Sequence, residues 1–325
     1  MNISFVNNIL EENSSFEEKA LRIFHFQYQN NKVYKSWCDT LHIDIAAIEN
    51  ILQIPFLPIS FFKTHKIVCG DFAAETIFES SGTTQTINSK HFVKDISLYK
   101  KSFIKAFELF YGDIKSWCIL ALLPSYLERN NSSLVMMADE LIKLSAHDES
   151  GFYLYEFDKL HTQLQDLEKR NEKTLLLGVT YALLDFAEAY PMHLKNTTVM
   201  ETGGMKGRRE ELTRDRVHDI LIRNLGVKEI HSEYGMTELL SQAYSKGDGR
   251  FVCPPWMKML VRDEGDPLHI ETFGKGVLNI IDLANVYSCS FIATDDVGII
   301  YADNSFEVHG RLDLADIRGC SLLTI

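Results

Sequence analysis

The spacing of apolar and polar residues changes twice along the chain. In residues 15–50, apolar side chains recur at helical intervals, for example at Phe16, Ala20 and Phe24, and residues 13–15 supply candidate N-caps. From about residue 90 to residue 245, short continuous apolar segments alternate with longer stretches of helical spacing. The predicted strands are residues 117–123, 133–137, 174–179, 197–201 and 229–231, and helices predicted between them include residues 154–169 and 210–225. This alternation predicts a mainly parallel sheet that helices cover on both faces.

Two segments depart from that alternation. Pro55 and Pro58 prevent a helix interior in residues 54–63, so this segment is predicted to be extended and packed on the core. After about residue 245 the apolar segments shorten and turn signals such as Gly247-Asp-Gly249 become dense, which indicates an antiparallel β region. The sequence therefore predicts an α/β fold with a body over residues 1–245, a smaller β subdomain over 246–312 and a short tail over 313–325.

Composition excludes several classes of function. The 325 residues are 46% hydrophobic and carry a formal net charge of −12, which argues against nucleic acid as a partner. No apolar run approaches the length of a membrane span, and the start of the chain lacks the pattern of a secretory leader. The six cysteines are far apart without a CxxC pair, so we expect reduced thiols, no structural zinc and a cytoplasmic protein.

Two short segments carry candidate nucleotide chemistry. Glu79-Ser-Ser-Gly-Thr-Thr84 follows an apolar stretch, and its hydroxyls and backbone N–H groups can wrap a polyphosphate; a Ser/Thr-rich turn without a ligand is the alternative. It lacks the Gly-Lys-Ser/Thr ending of a Walker loop. Ser232-Glu-Tyr-Gly-Met-Thr-Glu238 combines an aromatic ring, a glycine, a hydroxyl and a carboxylate, which suit adenine, a turn, a phosphate oxygen and Mg²⁺. Its alternative is a strand end followed by a capped helix N-terminus.

Two further segments can contribute to an anion or ribose site. In residues 199–211, two glycines directly follow a predicted strand, and Lys206, Arg208 and Arg209 add positive charge where a helix start does not favour it. Asp296 lies at the end of a predicted strand, where its carboxylate can hold ribose hydroxyls. Arg311 follows a glycine and can bridge ribose and phosphate. Taken alone, this last pair is better explained as two solvated hairpin turns.

With these segments in this order, the chain resembles the adenylate-forming superfamily and, within it, the LuxE-type acyl-protein synthetases. The resemblance runs from about residue 55 to the C-terminus. The segments that carry it are LPISFFK at 57–63, LPSYLERNNSSLV at 123–135, ETGGMKGRREEL at 201–212, SEYGMTELLSQAY at 232–244, FVCPPWMKMLVRD at 251–263 and DIRGCSLL at 316–323.

The resemblance implies a role for each matching residue. The residues that embrace the β,γ-phosphates of ATP are Ser80, Ser81, Gly82, Thr83 and Thr84. The residues that form the adenine side of the site are Gly203, Gly204, Met205, Tyr234 and Gly235, with Tyr234 stacked on the base. Thr237 contacts the α-phosphate and the acyl carbonyl, and Glu238 holds Mg²⁺. Asp296 binds the ribose, Arg311 supports ribose or phosphate, and Asp313 lies near the hinge of the superfamily.

The chain also departs from the superfamily pattern. The loop continues with Gln85-Thr-Ile-Asn88, without the usual lysine, for which Lys90 is a substitute. The residues after Asp313 leave no room for the mobile C-terminal domain with its adenylation lysine, which favours transfer to a protein thiol over transfer to coenzyme A. Cys320 is the predicted acceptor thiol because Arg318 lies beside it near the chain end, and Cys253 is the second choice.

The resemblance thus predicts an ATP- and Mg²⁺-dependent ligase. It activates a carboxylic acid, with a fatty acid expected, and passes the acyl group to a protein cysteine, with an acyl-donor or acyl-acceptor protein as partner. The alternatives are a relative of the acyl- or aryl-CoA ligases and an inactive member that binds acyl groups or nucleotides. The oligomeric state stays open, with a homodimer as one option.

Overall fold

A computed structural model describes residues 5, 6, 8–11, 14–80, 87–124, 131–203 and 212–312. The α-helices are α1 (Phe16–Asn30), α2 (Lys32–Thr40), α3 (Phe61–Thr64), α4 (Ile96–Tyr111), α5 (Ser133–Ser145), α6 (Phe157–Arg170), α7 (Thr180–Ala189) and α8 (Arg214–Leu225). Every helix in this part of the chain falls short of the length and apolar character that a membrane span requires.

The first strands are β1 (Leu57–Pro58), β2 (Thr76–Glu79), β3 (Lys90–Val93), β4 (Cys118–Leu122), β5 (Gly151–Phe152), β6 (Thr174–Gly178), β7 (Thr197–Glu201) and β8 (His231–Tyr234). They are followed by β9 (Ala243–Ser245), β10 (Phe251–Val252), β11 (Met257–Arg262), β12 (Ile270–Glu271), β13 (Gly274–Asp282), β14 (Phe291–Ile300) and β15 (Phe306–Arg311).

A mixed sheet of 13 strands forms the centre of the molecule, in the order β12-β11-β13-β14-β15-β10-β9-β8-β7-β6-β4-β5 with β1 beside β14. Strands β5, β4, β6, β7 and β8 are parallel to one another. From β8 to β9 the pairing becomes antiparallel and continues so through β10, β15, β14, β13, β11 and β12. The predicted α/β fold is confirmed, and its antiparallel strands are hydrogen-bonded to the parallel ones in one continuous sheet.

Both faces of the parallel strands are covered. Every residue of β4 is buried, and successive side chains enter two different apolar clusters, with Ile119 in one and Leu120 in the other. This alternation follows from the period of two along a strand. The continuous apolar segments of the sequence are therefore explained by burial on both sides of the sheet.

Most of the predicted elements are observed with shifted ends. The strands predicted at 117–123, 174–179 and 197–201 are β4, β6 and β7, whereas the strand predicted at 229–231 is observed as β8, two residues later. The predicted helices at 154–169 and 210–225 correspond to α6 and α8. The segment between Phe56 and Lys63 is extended only at β1, which pairs in parallel with β14, and then enters α3.

One predicted strand is wrong, because residues 133–137 begin helix α5. The hydroxyl of Ser132 accepts a hydrogen bond from the Val135 backbone N–H at 3.4 Å and caps the helix start. Beyond the apolar run, Ala138 and Leu141 continue the buried side at helical spacing. A short apolar run alone does not distinguish a strand from the first turns of a buried helix.

Helix α1 confirms the helical pattern predicted near the start of the chain, and Ser15 forms a capping box with Glu18. Its buried Gln27 reaches the loop after β13: Gln27 Nε2 donates to the carbonyls of Asn285 at 3.1 Å and Val286 at 3.0 Å. The helix is thereby fixed to a loop that is distant in sequence but borders the candidate site.

Strands β2 and β3 form a separate antiparallel hairpin in which Glu79 pairs with Lys90. The serine-, glycine- and threonine-rich segment lies between these strands. At the base of the hairpin, Ser80 N–H donates to the Ser89 carbonyl at 3.1 Å, and Ser89 N–H donates to Ser80 Oγ at 2.9 Å. The hairpin therefore fixes both ends of the predicted phosphate loop.

Strand β15, which carries Arg311, lies very close to β14 at Gly298. The register of this strand pair shifts between Val297 and Gly298, and a Cβ atom on Gly298 would overlap the carbonyl oxygen of Glu307. A backbone atom cannot move aside as a flexible side chain can. Glycine is therefore required for β15 to pack at this distance.

Gly298→Ala should lower the free energy of unfolding by about 1–3 kcal/mol, the usual cost of overpacking. Chemical denaturation measures the loss. Gly151→Ala is the matched control, because its Cβ would meet Tyr153 Cε2 at an ordinary 3.6 Å. Equal losses in the two variants would show that the approach of β15 to β14 does not limit the side chain at Gly298.

Candidate active site

The segment that follows β8 forms a turn before β9 runs back antiparallel to it. Thr237 and Glu238 lie in this turn, so the alternative of a helix N-terminus after the strand is wrong. A helix here would carry the chain away from β8, whereas β9 has to return along it. Gly235 is exposed, Thr237 is half-buried and Glu238 is buried.

Three predicted site residues meet on one side of the sheet. Tyr234 OH donates a hydrogen bond to Asp296 Oδ2 at 2.7 Å, and Arg311 Nε donates to Asp296 Oδ1 at 3.0 Å. Asp296 and Arg311 are direct cross-strand partners in β14 and β15. The three residues that the resemblance assigns to one nucleotide site are thus in contact across three strands, and the alternative of two solvated turns is wrong.

Exposure differs sharply within this triad of Tyr234, Asp296 and Arg311. The Arg311 side chain is 77% exposed, whereas that of Asp296 is 7% exposed. The Tyr234 ring packs edge-on against Phe306, and burial raises the pKa of its phenol well above the usual range, so it remains a hydrogen-bond donor. Each Asp296 oxygen keeps a second acceptor position, which fits the hydroxyls of a ribose.

The backbone of the Thr237–Glu238 turn is held by two buried side chains. His91 Nδ1 donates to the Thr237 carbonyl at 2.9 Å, and Asn285 Nδ2 donates to the Glu238 carbonyl at 2.7 Å. His91 Nε2 lies 3.0 Å from Asn285 Oδ1, a contact that would be a hydrogen bond only with a proton on Nε2. Burial lowers the pKa of His91 to about 4, so the ring is neutral near pH 7 and carries one N–H.

The Glu238 carboxyl is 5% exposed, and burial raises its pKa above the usual value, against the lowering effects of Ser89 and of the positive charges of Arg311 and Lys63. The described residues contain no group of three or more His, Cys, Asp or Glu side chains that could hold a metal. A single carboxylate nevertheless fits Mg²⁺, which is commonly bound through one or two carboxylates together with substrate phosphates.

Glu201 at the end of β7 organises the start of the glycine segment. Its Oε2 accepts hydrogen bonds from Gly203 N–H at 2.7 Å and from Thr180 Oγ1 at 3.0 Å. Burial opposes ionisation, but a hydrogen bond with His218 and the charge of Arg214 outweigh it and lower the pKa of Glu201 to about 2. Gly203 has a positive φ of 71°, which favours glycine.

Several predicted site residues lie outside the described part of the chain: Ser81, Gly82, Thr83, Thr84, Gly204, Met205, Lys206, Arg208, Arg209, Asp313 and Cys320. Lys90, the proposed replacement for the missing lysine, is 54% exposed, and its Nζ is 3.5 Å from Glu79 Oε1. It therefore lies at the base of the loop that it was expected to serve.

The five described cysteines are poor nucleophiles at neutral pH. Burial raises the pKa of each thiol, to about 12 for Cys38, Cys69 and Cys253, to about 11 for Cys118 and further for Cys289. Only the thiolate attacks an acyl group. The second-choice acceptor, Cys253, is half-buried and has no thiolate character in this structure.

Sequence reasoning missed His91, Asn285 and Glu201. A usable signal existed for Glu201, because it lies two residues before the two glycines. His91 follows the hydroxyl-rich loop closely, but its partner Thr237 is 146 residues away, and no local pattern reveals such a contact.

The sequence matches the profile of the family described as "Acyl-protein synthetase, LuxE" over residues 7–324. Two similar proteins are both named "Long-chain-fatty-acid--luciferin-component ligase". The one from Aliivibrio fischeri is 23% identical over 342 residues, and the one from Vibrio harveyi is 20% identical over 338 residues. Each comparison covers 96% of this chain and 88% of the relative.

Solved structures share the fold. ATP-bound MatB from Rhodopseudomonas palustris is 16% identical with a TM-score of 0.54, over 74% of this chain and 49% of that one, so the chain spans about half of MatB. A 2-hydroxyisobutyryl-CoA ligase in complex with 2-HIB-AMP is 10% identical with a TM-score of 0.63, over 91% of this chain and 67% of that one.

His91 makes stability depend on pH. Its pKa is about 4 in the folded chain and about 6.5 when unfolded, so the unfolded state binds the extra proton between these values. Stability should therefore fall as pH is lowered from 6.5 to 4, by up to about 3 kcal/mol from this residue. His91→Gln should show a smaller decrease than the wild type in denaturation at several pH values.

The exposed His25 provides the control for this measurement. His25→Gln should keep the pH dependence of the wild type. If His91→Gln also kept it, another group would be responsible for the loss of stability in acid.

Proposed function

Because the chain belongs to the LuxE family of acyl-protein synthetases, we propose that it activates a fatty acid with ATP as the acyl adenylate and passes the acyl group to a protein cysteine. The long-chain fatty acid in the names of both relatives supports this substrate class. Family membership and these names make the chain an acid–thiol ligase. The protein cysteine as acyl acceptor and the fatty acid as substrate are proposals that go beyond family membership.

The observation that carries the proposal is the contact of Asp296 with both Tyr234 and Arg311. A buried carboxylate with free acceptor positions can orient the ribose hydroxyls of ATP. The exposed guanidinium of Arg311 beside it can meet ribose or phosphate oxygens. Tyr234 is the residue proposed to stack on adenine, and Gly203, Gly204 and Met205 are proposed to form the adenine-side wall.

In the first step, the carboxylate oxygen of the acid attacks the α-phosphorus of ATP, an O–P bond forms, and pyrophosphate leaves. Thr237 contacts the α-phosphate and the acyl carbonyl. His91 and Asn285 fix the carbonyls of Thr237 and Glu238, so these side chains need little reorganisation during the reaction. The β- and γ-phosphates lie against the hairpin loop of Ser80, Ser81, Gly82, Thr83 and Thr84.

Glu238 is the residue proposed to hold Mg²⁺. When bound, the ion neutralises charge on the phosphates. Burial raises the pKa of the Glu238 carboxyl, and a cation beside it favours its ionised form. The residue is thus suited to a site in which metal and nucleotide arrive together.

In the second step, a thiolate attacks the acyl carbon, a C–S bond forms, and the C–O bond to AMP breaks. Cys320 is the proposed nucleophile because the five described cysteines have strongly raised pKa values. Nine extended residues from Arg311 to Cys320 can span about 30 Å, enough to reach the bound adenylate. Arg318 can stabilise its thiolate.

Glu238→Gln should reduce carboxylate-dependent ATP–pyrophosphate exchange about 100-fold or more, because an amide of the same shape cannot replace a metal-binding carboxylate. Melting temperature should change little. The exposed Glu264→Gln is the matched control and should retain exchange. Full activity of Glu238→Gln would remove Glu238 from the metal site, and no exchange by the wild type with any fatty or aromatic acid would refute adenylation itself.

Cys320→Ser should retain pyrophosphate exchange but lose the thioester that forms when protein, Mg·ATP and radiolabelled fatty acid are mixed without coenzyme A. Hydroxylamine release of the label identifies the thioester. Cys253→Ser is the control and should label like the wild type. Equal labelling of Cys320→Ser and wild type would refute Cys320 as acceptor, and label found only on added coenzyme A would favour a CoA ligase.

A further inference from the structure

The face of the β8–β9 pair opposite the Tyr234 triad carries a second polar group of residues. Glu233 and Tyr244 are direct cross-strand partners, so their side chains share one face. A Cβ atom built on Gly235 would lie 2.5 Å from Glu233 Oε1 and 3.3 Å from Gln242 Cγ, so Gln242 belongs to the same face. We refer to Glu233, Gln242 and Tyr244 as the Glu233 cluster.

Two polar atoms of this cluster are buried without partners. Gln242 and Tyr244 are 4% and 2% exposed, and neither Gln242 Oε1 nor Tyr244 OH has a hydrogen-bond partner. No residue in the described part of the chain donates a hydrogen bond to the Glu233 carboxyl, which is 9% exposed. A buried polar group without a partner is destabilising. The two unpartnered atoms, with the buried Glu233 carboxyl next to them beside a candidate active site, require an explanation.

Neighbouring side chains cannot satisfy the cluster because they are already engaged. Tyr111 OH is bonded to His231 Nδ1 at 3.1 Å, and Tyr99 OH donates to the Ser133 carbonyl at 2.9 Å. Arg214 Nε lies 3.7 Å from Glu201 Oε1, so this guanidinium pairs with Glu201 and not with Glu233. Burial and the negative charge of Glu201 raise the pKa of Glu233 to about 8, as expected for a carboxyl without a cation.

The partner of Gln242 Oε1 must donate a hydrogen bond, because an amide oxygen can only accept. Tyr244 OH and a protonated Glu233 carboxyl can donate or accept. A hydroxyl or an amino group supplies such a donor. An unsubstituted alkyl chain supplies none and would leave the buried polar atoms without partners. The cluster borders Gly235, and Thr237, the residue proposed to meet the acyl carbonyl, is two residues further along the turn.

We propose that the Glu233 cluster binds a hydrogen-bond-donating substituent, a hydroxyl or an amino group, on the carboxylic acid that the protein activates. This inference rests on the proposed function and narrows its substrate class to substituted acids. Glu233, Gln242 and Tyr244 are its specificity residues. They bind the substituent and take no part in the transfer of the acyl group.

The test compares decanoic acid with 2-hydroxydecanoic, 3-hydroxydecanoic, 10-hydroxydecanoic and 10-aminodecanoic acids. In pyrophosphate exchange, at least one substituted acid should exceed decanoic acid in kcat/KM by about 10-fold or more, the discrimination expected when buried polar groups gain partners. The same acid should raise the melting temperature of the wild type more than decanoic acid does. Comparison of the hydroxy-substituted acids with the amino-substituted acid identifies which donor the cluster binds.

Tyr244→Phe and Glu233→Leu should reduce the preference for the substituted acid and leave the melting temperature of the free protein unchanged or raised, because each removes an unpartnered polar group. If these side chains had a structural role, their replacement would instead lower the melting temperature of the free protein. Tyr111→Phe is the matched control: it loses a satisfied hydroxyl, so its stability should fall while the substrate preference stays. Tyr244→Phe removes a single oxygen and keeps the test valid if Glu233→Leu does not fold.

Exchange with decanoic acid that equals or exceeds exchange with every substituted acid would refute this inference and leave the proposed function standing; a bound water would then be the partner of the cluster. Absence of exchange with all acids would refute the proposed function. The melting-temperature comparison would still decide whether the cluster binds the substituent, because it does not require turnover.

Discussion

The candidate site depends on the pairing of β8, the strand at which the sheet changes direction. On one side β8 is parallel to β7, in the register Met200 to His231, and on the other it is antiparallel to β9, in the register Glu233 to Tyr244. The parallel half brings the glycine segment to the end of β8. The antiparallel half leads to β14 and β15 and so brings Asp296 and Arg311 to the same place. A slip of one residue in β8 would exchange Tyr234 and Glu233 between the two faces.

The buried carboxyl groups of Glu201, Glu233, Glu238 and Asp296 lie on or beside this strand, and their hydrogen-bond partners differ. Glu201 accepts hydrogen bonds from a backbone N–H and a hydroxyl and has a lowered pKa. Asp296 accepts hydrogen bonds from the Tyr234 phenol and the Arg311 guanidinium. Burial dominates at Glu238 and Glu233, whose pKa values are raised. Glu201 fixes the structure around it, whereas the buried carboxyls of Glu238 and Glu233 are suited to receive ligands that carry positive charge or hydrogen-bond donors.

The family resemblance, and not a local pattern, implied a common site for Tyr234, Asp296 and Arg311. The sequence was sufficient for the mainly parallel body and for the change to antiparallel strands near residue 245, because both follow from local patterns. The sequence was insufficient where the structure of a segment depends on residues outside its own apolar pattern. The apolar run at residues 133–137 starts a helix because of the Ser132 cap and the residues that follow. Hydrogen bonds across 146 residues, as between His91 and Thr237, leave no periodic signal.

The link between Gln27 and Asn285 has a consequence for the order in which the chain folds. Gln27 bonds to the carbonyls of residues 258 and 259 positions later, and Asn285 in turn holds the Glu238 carbonyl. During synthesis, α1 emerges long before its partner loop exists, so its docking is a late event with a large loop-closure cost. Docking of α1 thus supports, from near the start of the chain, the loop whose Asn285 holds the turn with Thr237 and Glu238. A chain interrupted before β14 would contain strands β4 to β8 and still lack Asp296 and Arg311 of the site.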